Sequence, residues 1–150
     1  MSYWDSSALV KLYVKEADSA QFEGLALVEA LVTGILALHE ARTVFRRREA
    51  EGVLPLGQGT ALFVQLASDV AVGEIRVQTE TDVVRGKFGE VLEACFSQTP
   101  AVFIRTNDAL HIASALVAGK RNWSPPTSGS ARERCSWASP CSHRRVRRQK

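Results

Sequence analysis

Asp5, Glu40 and Asp108 are the residues whose type and setting could do chemistry, because each carboxylate stands in an apolar frame. Asp5 lies in Tyr-Trp-Asp-Ser-Ser-Ala-Leu-Val, Glu40 in Leu-Ala-Leu-His-Glu-Ala-Arg, and Asp108 in Arg-Thr-Asn-Asp-Ala-Leu-His-Ile-Ala. Removing a carboxylate from water is costly unless it is paired or bound to a metal. Three of them, far apart in sequence, point to one acidic pocket assembled by the fold. Such a pocket holds a cation or loses its ionisation.

Each acid alone has an ordinary explanation. Asp5 could end a strand or open a turn, Glu40 could be a solvated helix residue, and Asp108 could complement a helix dipole. His39 and His111 adjoin or follow acids, yet no HxxxH pair supports a mixed metal site. His111, three positions after Asp108, can share its helix face and reads as a packing or hydrogen-bonding histidine. Arg42, Arg46, Arg47 and Arg48 follow Glu40 and could touch RNA phosphates, Arg42 and Arg46 foremost; a solvated or antitoxin-facing helix flank explains them equally. Trp4 and Phe103 read as core.

The elements that must carry these acids follow from periodicity. Ser2–Asp5 reads as a strand ending in an acid, and Ser7 as the cap of a helix through Val14. Helix patterns cover Ala17–Glu29, Leu36–Glu51 (ended by Gly52 and Pro55), Thr60–Val72, Asp82–Phe96 and Thr106–Ala118. Leu31–Ile35 and Glu74–Gln78 read as strands. Gly86 and Gly89 weaken the middle of the fifth pattern. Strands alternating with helix pairs predict an α/β fold with a parallel sheet. Sites in such sheets lie beyond the carboxyl ends of the strands, where Asp5 falls.

In order, spacing and flanking residues, the three acidic blocks resemble the signature blocks of PIN-domain nucleases, in particular the VapC-type toxins of bacterial toxin–antitoxin pairs. The likeness spans residues 1–119. It implies a three-layer α/β/α sandwich with a mostly parallel sheet. It implies Mg²⁺- or Mn²⁺-dependent endoribonuclease activity, with RNA as substrate, a cognate antitoxin as partner and homodimers among relatives. By position, Asp5, Glu40 and Asp108 would be the catalytic metal-site carboxylates, and Ser7 would steady Asp5. Mg²⁺ favours hard oxygen ligands and few carboxylates, and a bound metal activates water and neutralises phosphate charge. The alternatives are an inactive PIN-fold module that binds antitoxin, and a nucleic-acid binder that works through its basic tail.

The chain of 150 residues fits one domain, and 45% hydrophobic with 23% charged residues is the balance of a soluble globular protein. No run reaches the roughly 20 apolar residues of a membrane span and no signal peptide is evident, so a cytoplasmic location is expected. Three cysteines without CxxC spacing indicate neither a disulfide framework nor zinc. The net charge of +3 is split: residues 1–120 hold 11 Lys/Arg against 15 Asp/Glu, and residues 121–150 hold 8 against 1. The expected organisation is a nuclease-like domain over 1–120 and a basic, disordered tail over 121–150.

Relatives of the resembled family continue with a strand ending in a fourth aspartate, a helix and a last strand, whereas here Glu133 is the only acid after Asp108. Shifting the reading frame from Arg121 onward permits Glu-Leu-Val-Ala-Thr-Asp-Lys-Arg-Leu-Arg-Glu. The stretch from Cys135 to Ser142 likewise permits Gln-Leu-Gly-Ile-Thr-Val-Leu. A frameshift near Lys120–Arg121 is therefore expected, making the tail out-of-frame translation and leaving a sheet edge and apolar surface uncovered. Gene sequence tests this: codons across Pro126–Thr127 should spell Asp in the shifted frame. The restored chain should melt higher and cleave RNA faster than the chain as written; equal stability and activity would count against that impairment.

Overall fold

The computed structural model describes residues 2–119; residues 120–150, where a disordered tail, the loss of a strand–helix–strand and a frameshift are expected, lie outside the described residues. The element order is β1 (Ser2–Trp4), α1 (Ser6–Val10), α2 (Ser19–Ala26), β2 (Leu31–Gly34), α3 (Ile35–Ala50), α4 (Gln58–Ala71), β3 (Ile75–Gln78), α5 (Asp82–Phe96) and α6 (Thr106–Val117).

All strand pairings are parallel, in the order β1-β2-β3. Parallel neighbours need long crossovers, supplied here by the helix pairs α1–α2 and α3–α4. Every residue of the central strand, Leu-Val-Thr-Gly, is buried, as a strand covered on both faces requires. Among the described residues β1 pairs only with β2, so its other side is a sheet edge.

Register sorts the side chains into two faces. Tyr3 pairs with Val32, and Leu31 with Ile75. Trp4, Leu31 and Ile75 join the large core with Leu9, Phe22, Phe45 and Leu66 from the first four helices. Tyr3 and Val32 instead meet Ala115 of α6. Behind α6 lies α5, through Val91, Ala109 and Ile112. The result is helices on both faces of a parallel sheet.

Local chemistry explains where elements begin and stop. α1 is capped by Asp5, not by Ser7, and stops at Val10, short of the expected Val14. α2 is shorter than the Ala17–Glu29 pattern because the residues before it are otherwise engaged. The Asp18 carboxylate goes to Lys11 and caps nothing, while Ser19 Oγ accepts from Glu16 N at 2.9 Å and donates to Val14 O at 3.3 Å. α3 and α4 approach closely at Gly59, where a Cβ would stand 2.8 Å from Phe45 O. Phe103 is not core: it is 78% exposed and meets Phe96 edge-on at 5.9 Å. Trp4 is buried, edge-on to Phe22.

Gly86 and Gly89 sit inside α5 with open space where a Cβ would stand. Glycine in a helix interior costs about 0.5–1 kcal/mol relative to alanine through backbone entropy. Gly86→Ala and Gly89→Ala should therefore each raise the unfolding free energy by about that amount, as measured by urea denaturation.

Candidate functional site

Asp5 follows β1 directly and turns the chain into α1. Its Oδ1 accepts from Ala8 N at 2.9 Å and from Ser7 Oγ at 2.7 Å, so Ser7 does contact the carboxylate it was expected to steady. Glu40 lies in the second turn of α3, half-buried. Its Oε2 accepts from Ser6 Oγ at 2.7 Å and from His111 Nε2 at 2.8 Å, and its Oε1 from Asn107 Nδ2 at 2.8 Å. Asp108 lies in the first turn of α6, and Arg105 donates to both its oxygens, at 2.8 and 3.0 Å.

These contacts bring the three blocks together. Ser6 adjoins Asp5, Asn107 adjoins Asp108, and both bond to Glu40. Glu40 and Asp108 line one open cavity with Arg105, Thr106 and Asn107. Asp5 is on the same side, close enough that its charge and that of Glu40 both act on the Tyr3 phenol.

Glu40 is the electrostatic centre of this arrangement. The hydrogen bond from His111 is the main cause that lowers its pKa from the ordinary 4.5 to about 2; partial burial opposes this, and Ser6 and Asn107 add to it. A carboxylate that receives three donors is stabilised in its charged form. On the far side of His111, Tyr3 Oη lies 3.1 Å from Nδ1. Burial raises the Tyr3 phenol well above its usual range.

In this arrangement the Glu40 and Asp108 carboxylates are engaged by donors of the protein itself. No group of three His, Cys, Asp or Glu side chains among the described residues is arranged to hold a metal ion. The Arg105 fork occupies both oxygens of Asp108.

The arginines expected to meet RNA lie elsewhere. Two residues beyond Glu40 is about 200° around a helix, so Arg42 faces away and stacks on Phe63 of α4 at 4.9 Å. Arg46 pairs with Glu49 at 2.6 Å, and Arg48 with Glu16 at 3.1 Å. His39 is exposed, and His111 makes the hydrogen bonds that its position on the Asp108 face allowed.

Tyr3, Ser6, Arg105 and Asn107 were not among the expected site residues, although each lies within three positions of Asp5 or Asp108. The i,i+3 spacing of Arg105 and Asp108 was a readable signal for their pairing. No protein-family model matches the chain, and no curated protein matches it. Among the described residues no helix is long and apolar enough to cross a membrane.

Because its pKa is lower folded than unfolded, Glu40 contributes stability that is present above pH 4.5 and lost as pH falls toward about 2. Glu40→Gln should therefore destabilise the protein near neutral pH by about 1 kcal/mol, a value discounted for solvent screening. The gap from wild type should close across that acid window, as followed by urea unfolding at stepped pH.

Proposed function

We propose that this chain is a PIN-type nuclease of the VapC toxin class, of a lineage that hydrolyses RNA with Mg²⁺ or Mn²⁺ and is held by a cognate antitoxin. The observation that carries the reading is the meeting of three remote blocks on one carboxylate. Glu40 takes hydrogen bonds from the residue after Asp5 and from the residue before Asp108. Nothing in a solvated-helix role for Glu40 calls for that convergence. The parallel sheet, with Asp5 at the carboxyl end of β1, agrees with it. Asp5, Glu40 and Asp108 are the residues on which the activity would depend, with Ser7 holding Asp5. Arg42 and Arg46 could contact RNA only away from the Glu40 face of α3. Homodimers and a cytoplasmic location belong to the same reading.

A second reading has its own observation. The bidentate grip of Arg105 on Asp108 neutralises one of the three acids from within the chain. A domain so arranged could bind an antitoxin without cutting RNA.

Mn²⁺ titration calorimetry and cleavage of single-stranded RNA separate the two. The nuclease reading expects saturable Mn²⁺ binding that Asp5→Asn weakens by on the order of tenfold or more and that Arg105→Gln strengthens. It also expects RNA cleavage lost in Asp5→Asn. A folded wild type and a folded Arg105→Gln variant that both fail to bind Mn²⁺ and to cut RNA would establish the binding module instead.

A further inference from the structure

The polar contacts behind Glu40 have a direction. Tyr3 and His111 are 4% and 8% exposed, enclosed between β1, β2 and α6. A neutral imidazole carries its proton on Nδ1 or on Nε2, and its neighbours decide which. On one side stands an ionised carboxylate, which only accepts, so the 2.8 Å contact to Glu40 Oε2 requires a proton on Nε2. On the other side stands the Tyr3 hydroxyl, 3.1 Å from Nδ1. With Nε2 protonated, Nδ1 keeps its lone pair, so the Tyr3 O–H donates to it.

A ring with its single proton on Nε2 therefore satisfies every partner. The opposite tautomer would turn a lone pair toward the Glu40 carboxylate and a proton toward an oxygen that has its own to donate. Space enforces the same arrangement. A Cβ at residue 34 would stand 2.6 Å from Tyr3 Oη, so glycine at the end of β2 leaves the room in which the hydroxyl sits. The relay spans β1, α6 and α3, and its last link meets Glu40 on the oxygen that Ser6 also uses.

We infer that Tyr3 and His111 are positioning residues for Glu40: with Glu40 requiring the Nε2–H tautomer of His111, Tyr3 locks the ring by donating to Nδ1, and His111 holds the Glu40 carboxylate against Ser6. The inference is independent of the nuclease reading, since any chemistry or binding at Glu40 needs that carboxylate in a fixed orientation. A buried, fully paired polar chain of this kind sets one arrangement of its members, because each alternative leaves a polar group unsatisfied in a low-dielectric setting.

Long-range ¹H–¹⁵N spectra of the imidazoles test it at about pH 8, above the ordinary histidine pKa of about 6.5. His111 is assigned by the signals missing from His111→Gln. In the wild-type chain His111 should show the Nε2–H tautomer alone, with its Hε2 proton protected from exchange. Tyr3→Phe, with its fold checked by the amide spectrum, should keep the Nε2–H tautomer that Glu40 requires but exchange that proton at least tenfold faster, the ring having lost its hold at Nδ1. His111→Gln retains an N–H donor toward Glu40 and should keep the wild-type ¹³C shift of the Glu40 carboxylate, which His111→Leu should move. An Nδ1–H tautomer or an averaged ring in the wild type overturns the inference, as does a folded Tyr3→Phe whose Hε2 proton exchanges no faster. If Tyr3→Phe does not fold, the wild-type tautomer and the Gln–Leu comparison still decide.

Discussion

One carboxylate, that of Glu40, ties the elements of this fold to one another at the end of the sheet. It is reached from α1 by Ser6 and from α6 by Asn107 and His111. α1 packs on one face of the sheet and α6 on the other, as their separate core clusters show. Apolar packing holds each layer but is non-directional, and it does not by itself set how far one layer slides over the next. Three charge-assisted hydrogen bonds to a single acceptor do, because their lengths and angles tolerate little displacement.

The same arrangement explains why ionised Glu40 can lie half-buried. Desolvation disfavours its charge, and the donors from His111, Ser6 and Asn107 outweigh that cost, so its pKa falls where burial alone would raise it. Asp108 is treated differently. Its partner is a mostly exposed arginine on the same helix turn, bound through both oxygens, and solvent screens that pairing at the arginine end. The site thus combines one acid fixed from several elements with one held locally. Asp5 is fixed locally too, by Ser7 and the first turn of α1.

Much of the fold was legible in the sequence. Asp82–Phe96 begins and ends where its periodicity places it, and the structure adds the Thr81 cap, whose Oγ1 accepts from Val84 N at 3.4 Å. The other strands and most helices fall within a few residues of the pattern. α1 and α2 departed because polar side chains chose partners that periodicity does not reveal, as with Asp18 and Lys11. Phe103 departed because an apolar residue in a loop carries no information about what covers it.

For the site, residue type and local frame singled out Asp5, Glu40 and Asp108, since a carboxylate amid apolar neighbours advertises its cost in sequence alone. The pairing of Asp108 with Arg105 and of Asp5 with Ser7 also lay within reach, being local. What only the tertiary structure decided was the company of Glu40. Ser6, Asn107 and His111 are 34, 67 and 71 positions away, and no pattern along the chain encodes which donor meets which acceptor. Sheet order and the two-faced packing of α1 and α6 bring those groups within hydrogen-bonding distance. Tertiary geometry likewise turned Arg42 toward Phe63 and away from the acids, because helical phase and the position of α4 set where that side chain can reach.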